Sequence, residues 1–232
     1  MTGIMQTMVM FKPINLYDAL LYVDAGNSSS YSGTGTTWTG LSNNAHNVTL
    51  VGSPTYNSSN SGYLNFNGTG AQYGDTVESK FNTFYTGKSL IVTVRMTQFT
   101  TGTFRCIFGA NSGSRNFNTY IYSPSSGVYQ LHYSAGSAGG FSNNLSWTTG
   151  QWAVFAVTHN TDGLVTYYHN GVPVGTNTGV TFTQYASNGG EFIGIGDNYW
   201  YGDIAVCAVF GRTLSSDEIT QNFNSLKSRY GL

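Results

Sequence analysis

From Leu20 onward, apolar and polar residues along the chain follow the pattern of short β-strands. The apolar runs are rich in Val, Ile, Tyr and Phe, and Gly- and Ser-rich turns separate them, which is typical of an all-β sandwich. Within Ser89–Met96, for example, Val92 and Val94 alternate with polar residues, so one face of this strand is expected to lie in a core. In chain order, the predicted strands are Leu20–Asp24, Val48–Val51, Tyr63–Phe66, Ser89–Met96, Phe104–Phe108, Asn118–Tyr122, Val128–Tyr133, Trp152–His159, Leu164–His169, Glu191–Ile195 and Asp203–Phe210.

The segment 151–176, QWAVFAVTHNTDGLVTYYHNGVPVGT, predicts two consecutive hairpins that begin with a strand led by Trp152. Its Asp162-Gly163 and Asn170-Gly171 dipeptides supply the positive φ angles of tight turns. The residues between the two turns are β-branched and aromatic, as in a half-buried strand.

One helix is predicted, from Ser215 to about Lys227. Ser215 and Glu218 have the spacing of a capping box, in which each side chain bonds a free backbone amide of the first turn. A single apolar stripe follows at helical spacing, formed by Ile219, Phe223 and Leu226. The helix is therefore expected to cover the sandwich as a lid.

Two segments are distinguished: an N-terminal arm or linker at residues 1–18 and a sandwich domain, with the helix, at residues 19–232. The arm carries Met8, Val9, Met10 and Phe11, whose exposure to water would be costly, so we expect it to dock on another subunit. A frayed terminus is the alternative interpretation. The arm lacks a basic n-region, so no secretory signal is expected, and no apolar run reaches the ~20 residues needed to span a bilayer.

Composition narrows the classes of function. Charged residues make up only 8% of the chain and its net charge is −1, against roughly 25% charged residues in an average soluble protein. A nucleic-acid-binding role is therefore not expected. A neutral surface rich in Ser, Thr, Asn, Gly and Tyr suits sugars or close packing in an assembly.

Four blocks of the chain, in order, resemble the concanavalin A-like, laminin-G-type sandwich family. They are LYVDAGNSSSYSGTGTTWTGLSNNAHNVTLVGSPTY, GYLNFNGTGAQY, the 151–176 hairpins, and FIGIGDNYWYGDIAVCAVFGRTLSSDEITQNFNSLKSRYGL. The resemblance implies an antiparallel jelly-roll β-sandwich with one C-terminal helix. Calcium-binding members often carry Gly-x-Ile-Asp-Glu in the closing strand, but here Ala205 and Val206 replace the two carboxylates, so no calcium role is expected at this position.

The opening and closing blocks are similar to those of tailed-bacteriophage structural domains. That similarity implies a non-enzymatic virion protein on the phage exterior, as a capsid decoration or a tail-fibre or knob component. The expected partners are other virion proteins, bound through the arm, and identical subunits in a homo-oligomer, with cell-surface glycans as a further ligand class. The alternative is a lectin-like carbohydrate-binding module, and the third hypothesis is a glycoside hydrolase with unrecognised carboxylates.

Hydrolysis is not expected, because glycosidases need two carboxyl groups about 5–9.5 Å apart. Asp75 and Glu78 form a pair predicted to lie in a loop. Glu191 and Asp197 would share a strand face but lie about 20 Å apart at ~3.3 Å per residue.

The candidate glycan site is the segment Asp197, Asn198, Tyr199, Trp200 and Tyr201, in which rings would stack on sugars and the two polar side chains would orient hydroxyls. The alternative is that these rings fasten the loop to the sandwich or to a neighbouring subunit. Trp38 and Trp152 are expected in the core, and Tyr31, in a Gly/Ser loop, at the surface.

No metal or cofactor is expected, because the histidines are scattered along the chain and the cysteines lack a metal-binding or redox spacing. Cys106 and Cys207 are interpreted as small buried hydrophobic residues. A disulfide between them would need neighbouring strands with suitable geometry.

Overall fold

The structure is a computed structural model, and it describes residues 16–44, 46–76, 87–110, 117–135, 138–181, 191–195 and 198–232. Residues 1–15 of the predicted N-terminal arm, which include Met8–Phe11, lie outside these ranges, as do Glu78 and Asp197. The predictions for those residues therefore stay predictions.

The described chain is mostly β-structure, as predicted. Its strands are β1 (Leu21–Asp24), β2 (Thr37–Trp38), β3 (Val48–Val51), β4 (Thr55–Asn57), β5 (Tyr63–Asn67), β6 (Tyr73–Asp75), β7 (Lys88–Met96), β8 (Phe104–Ala110), β9 (Asn118–Ser125), β10 (Val128–Ala135), β11 (Ala138–Phe141), β12 (Trp152–His159), β13 (Val165–His169), β14 (Val172–Asn177), β15 (Glu191–Ile193) and β16 (Tyr201–Phe210). Helix α1 covers Ser216–Tyr230, and short 3-10 turns lie at Leu16–Asp18 and Ser59–Ser61.

Within the described residues, these strands form two antiparallel sheets. Sheet A has the order β14-β13-β12-β7-β16-β5-β4, with β1 also paired to β16, and sheet B has the order β11-β10-β9-β8-β15-β6-β3-β2. Both sheets pair strands that are distant in sequence, such as β7 with β16. The predicted antiparallel sandwich of the jelly-roll type is confirmed.

The main core lies between the two sheets and contains the largest fully buried side chains, among them Trp38, Trp200 and Phe155. A second apolar cluster lies on the outer face of sheet A, where Ile219 and Leu226 of α1 cover the sheet. Because both faces of sheet A are covered, its central strands are apolar on both sides. This explains why β7 alternates only in part.

Helix α1 begins as the sequence predicts but ends later. The Ser215 side chain accepts a hydrogen bond from the Glu218 amide at 3.3 Å, and the Glu218 carboxylate accepts one from the Ser215 amide at 2.9 Å. The predicted end at Lys227 is three residues short of Tyr230, because the helix stops only where Gly231 adopts the left-handed conformation with φ 70°.

The turns of the 151–176 segment differ from each other. Asn170 and Gly171 have φ values of 51° and 79°, as a two-residue hairpin turn requires. In the preceding turn Gly163 has a positive φ of 79° and Asp162 does not. There the Asn160 side chain accepts hydrogen bonds from the amides of Asp162 and Leu164 and closes a longer loop.

Tyr31 was expected at the surface, and that expectation is wrong. Its side chain is 5% exposed, its ring packs against Tyr56 with centroids 5.4 Å apart, and its hydroxyl donates to the Gly35 carbonyl at 3.0 Å. The Gly/Ser composition of the loop concealed this, because it gives no sign that the loop folds back over an aromatic ring.

Candidate functional site

Of the predicted site, the structure describes Asn198–Tyr201, and only part of this segment lies at the surface. Tyr199 is 38% exposed, whereas Trp200 is fully buried in the main core. Trp200 therefore cannot stack on a sugar in this structure, and its assignment to the glycan site is wrong. Its ring has the alternative role, since it anchors the loop in the sandwich.

The two tyrosines beside Trp200 pack closely on glycines. A Cβ atom at Gly70 would lie 2.2 Å from the Tyr199 ring, and one at Gly68 would lie 2.8 Å from Tyr201. The Tyr199 carbonyl also accepts a hydrogen bond from Arg105 at 3.3 Å. The segment thus presents one partly exposed ring rather than a platform of three.

A different cluster of rings lies on the outer face of sheet B, opposite the face that packs in the core. We define the aromatic patch as Phe104, Tyr122, His132 and Phe141. Phe104 and Tyr122 are stacked, with centroids 4.5 Å apart and an interplanar angle of 25°. His132 and Phe141 also have centroids 4.5 Å apart, and Tyr122 lies 5.3 Å from Phe141.

Strand register brings the patch together. Phe104 of β8 lies opposite Tyr122 of β9, and His132 of β10 lies opposite Phe141 of β11. Their strand neighbours Ile121 and Leu131 belong to the main core. Since successive side chains of a strand point to opposite faces, the patch residues point away from that core.

The aromatic patch is accessible, and hydrogen-bonding side chains lie beside it. Phe141 is 40% exposed and the other three rings are half-buried. Gln130 lies opposite Tyr122 in the sheet, and its amide donates to the exposed Asn144 side chain at 3.1 Å. The face therefore combines accessible rings with neutral amides.

The sequence contained part of this signal. Tyr122 and His132 lie on predicted strands, at positions that alternate with apolar core residues. Phe141 lies on β11, whose sequence AGGF gives no strand pattern. The register between strands, which decides which rings meet, is not encoded in any single segment.

Two described carboxylates of the sandwich are paired with arginines. Asp203, which is 1% exposed, accepts hydrogen bonds from Arg95 and from the Asn65 side chain, both at 2.7 Å. Asp24 accepts two hydrogen bonds from Arg229. Asp75, expected in a loop, lies at the end of strand β6.

Glu191 is the buried exception. It is 1% exposed, and neither carboxylate oxygen has a hydrogen-bond partner. Burial raises the pKa of Glu191 to about 7, while the nearby charge of Lys88 acts in the opposite direction. Burial, and in addition the charge of Glu191, raises the pKa values of Tyr133 and Cys207 in the main core. Glu191 thus lies between the sheets, away from a surface that a polymer could reach.

The histidines and cysteines do not assemble into a site within the described ranges. No group of three or more His, Cys, Asp or Glu side chains is placed to hold a metal ion among these residues. His159 is held inside the sandwich by the Tyr133 hydroxyl at 2.9 Å and the Val180 carbonyl at 2.7 Å. Cys106 and Cys207 are both buried, as predicted for small buried hydrophobic residues.

Of the helices that the structure describes, none is long and apolar enough to cross a membrane. Trp38 and Trp152 were predicted to be buried, and both lie in apolar clusters, so this prediction is confirmed.

Comparison with solved structures shows the same sandwich in other proteins. Domain 4 of AbnA, a GH43 extracellular arabinanase from Geobacillus stearothermophilus solved with arabinotriose, superposes with a TM-score of 0.66 at 18% identity, covering 88% of this chain and 97% of that one. The receptor-binding domain of botulinum neurotoxin type G gives 0.64 at 14% identity, covering 90% and 51%. Trypanosoma rangeli sialidase in complex with sialic acid gives 0.62 at 16% identity, covering 90% and 33%.

The TM-scores show a shared fold, and at these low sequence identities they show the fold alone. The chain spans nearly all of the arabinanase domain but only about half of the neurotoxin domain. Comparison with curated proteins found no match. The family model described as the concanavalin A-like lectin/glucanases superfamily, of laminin G type, matches residues 68–220, which is more than half of the chain. The chain therefore belongs to the concanavalin A-like lectin/glucanases superfamily.

Proposed function

We propose that this protein is a lectin-like carbohydrate-binding module and that the aromatic patch on sheet B is its glycan-binding surface. One observation carries the proposal. Four rings from four neighbouring strands, Phe104, Tyr122, His132 and Phe141, meet on an accessible sheet face with centroids 4.5–6.3 Å apart.

The chemistry of the patch suits a neutral sugar. Ring faces offer apolar area to the C–H face of a pyranose or furanose, and adjacent amides can bond its hydroxyls. Gln130 and Asn144 supply such amides at the edge of the patch. With only 8% charged residues in the chain, neutral polysaccharides are favoured over highly charged ones.

The structural neighbours support this ligand class at the level of fold alone. The arabinanase domain was solved with arabinotriose and the sialidase with sialic acid. Their shared sandwich makes sugar recognition a natural function for the scaffold, but one fold hosts many functions. The site itself is therefore argued from the rings of this chain.

We further propose that the protein binds glycans without hydrolysing them. The described carboxylates support this proposal, because Asp24 and Asp203 are engaged by arginines and Glu191 is enclosed in the core. A general acid needs a partner and a substrate within reach.

The predicted role on a phage particle stays a prediction. It rests on the resemblance of the opening and closing blocks and on the arm residues 8–11, which lie outside the described ranges. A glycan-binding face on sheet B is compatible with such a role, because α1 covers the opposite side of the sandwich.

Binding to a glycan array and to insoluble polysaccharides, with linear arabinan included, tests the proposal. Phe141→Ala and Tyr122→Ala should each weaken binding about tenfold or more, equivalent to about 1.4 kcal/mol. Both rings are partly exposed, so the melting temperature should change little. Tyr199→Ala is the matched control, because Tyr199 is an exposed tyrosine outside the patch.

Unchanged binding by both patch variants, or loss of binding by Tyr199→Ala alone, would contradict the assignment of the patch. Release of reducing ends by the purified wild-type protein would contradict the non-enzymatic part of the proposal.

A further inference from the structure

A second group of rings lies on the outer face of sheet B. We define the ring pair as Tyr73 of β6 and Phe192 of β15, whose ring centroids are 5.6 Å apart with an interplanar angle of 83°. Both side chains are half-buried, as are three of the four rings of the aromatic patch. The same face of the sheet therefore carries two groups of partly accessible rings.

Strand alternation places both rings of the pair outside the main core. Ile193, next to Phe192 in β15, is fully buried and belongs to that core. A Cβ atom at Gly74, next to Tyr73 in β6, would lie 2.7 Å from the Val48 side chain and 3.3 Å from that of Ile193, so this position faces the core. Because successive residues of a strand point to opposite faces, Phe192 and Tyr73 point away from it.

Hydrogen-bonding side chains share this part of the face. Asp75 lies opposite Phe192, and Thr49 lies opposite Asp75 on the neighbouring strand β3. Residues directly opposite each other in antiparallel strands lie on the same face of the sheet. Thr49 is exposed and Asp75 is half-buried. A hydroxyl can donate or accept a hydrogen bond and a carboxylate can accept several, so both can bond sugar hydroxyls beside the rings.

The ring pair and the aromatic patch are separate contact points. Phe192 lies opposite Gly109 of β8, five positions beyond Phe104 of the patch. At ~3.3 Å per residue and ~4.8 Å between strands, and with the bulge in β8 allowed for, the Cα atoms of Phe104 and Phe192 are about 15 Å apart. Cys106, two positions from Phe104, is fully buried. The accessible rings described on this face thus form two groups rather than one row.

The rings of the aromatic patch converge on one point. Phe104 and Phe141 belong to strands that are three steps apart in sheet B, which corresponds to about 14 Å at ~4.8 Å per step. Their ring centroids are nevertheless only 6.3 Å apart, so these side chains lean together over the strands between them. A cluster this compact contacts one short stretch of a glycan. A longer chain has to make its further contacts elsewhere on the sheet.

We propose that the ring pair, with Thr49 and Asp75 beside it, is a second glycan subsite, and that one linear oligosaccharide contacts the ring pair and the aromatic patch together. The ligand class rests on the proposed carbohydrate-binding function, whereas the place of the subsite rests on the register of β3, β6 and β15. Binding at one point holds the rest of the chain near the other, which raises the affinity for a chain that reaches both. The preferred ligand is therefore a stretch of a linear polysaccharide rather than a single sugar residue.

Isothermal titration calorimetry with linear arabino-, cello- and chito-oligosaccharides, from the disaccharide to the octasaccharide, tests the subsite. At least one series should bind the wild-type protein, and its affinity should rise about tenfold or more from the shortest to the longest member. Phe192→Leu and Tyr73→Leu each remove a ring and retain apolar volume. Both variants should lose most of this rise and retain the wild-type affinity for the disaccharide.

Tyr199→Leu is the matched control, because Tyr199 is an exposed tyrosine outside both groups of rings, and it should keep the full rise. Phe141→Ala should weaken binding at every chain length, so loss of the patch and loss of the subsite give different patterns. A wild-type affinity that does not depend on chain length, or a full rise in both ring-pair variants, would overturn the subsite and leave the proposed binding at the patch intact. No binding of any series would overturn both. If one ring-pair variant does not fold, the other decides.

Discussion

Arg229, in the last turn of α1, binds Asp24, at the end of the first strand, through both terminal guanidinium nitrogens at 2.7 Å each. The Asp24 side chain is 5% exposed and that of Arg229 is 23% exposed. Gly26 leaves room for this contact, because a Cβ atom there would lie 2.1 Å from the guanidinium. The ion pair thus fastens the helix to the edge of sheet A.

We expect Asp24→Asn to lower the free energy of unfolding by about 3 kcal/mol, because it leaves a largely buried guanidinium without its charge partner. Denaturant unfolding measures the change. Arg212→Gln is the control, since the Arg212–Glu218 pair has side chains that are 45% and 28% exposed and should cost under about 1 kcal/mol. Equal losses in the two variants would show that the Asp24 pair contributes no more than a surface pair.

Trp200→Ala should destabilise the protein by about 3–5 kcal/mol, as is usual when a large aromatic side chain is removed from a core. Trp200 is fully buried, so the change leaves a cavity between the sheets. Thermal and denaturant unfolding measure the loss. Tyr199→Ala, next to it and 38% exposed, should change stability by less than about 1 kcal/mol. A small effect of Trp200→Ala would mean that the ring is not part of the core.

Stability should fall as the pH rises from about 4.5 to about 7 through the contribution of Glu191. Burial raises the pKa of Glu191 from 4.5 to about 7, so in this interval the folded state retains a proton that the unfolded state has released. Glu191→Gln should flatten this part of the pH profile, by roughly 1–3 kcal/mol across the interval. Denaturant unfolding at several pH values measures the slope.

The control for this experiment is Glu218→Gln. A hydrogen bond from Arg212 lowers the pKa of Glu218, so this carboxylate contributes stability above its unfolded pKa and loses it as the pH falls. Glu218→Gln should therefore retain the decline between pH 4.5 and 7 that we assign to Glu191. A Glu191→Gln profile parallel to that of the wild-type protein would refute the assignment.

Local sequence determined most strands and the helix. The run Trp152–His159 and the capping box at Ser215 carry their own periodicity or cap, and the structure confirms both. Short strands such as β2 and β11 were not predicted, because two to four residues cannot show a period and their pairing partners stabilise them. Apolar core positions were similarly clear, since alternation alone places Val92 and Val94 inside.

The aromatic patch could not be derived from local patterns. The aromatic patch exists because register across β8–β11 aligns side chains that are up to 37 positions apart, from Phe104 to Phe141. Likewise, Tyr230 meets Trp152 only because the end of α1 returns over the start of β12. By itself, the sequence determined which segments form strands and which residues are apolar, because those properties act over a few neighbouring residues. Only the tertiary structure decided that Trp200 is enclosed and that Phe141 is accessible, because exposure depends on what the rest of the chain packs against each ring.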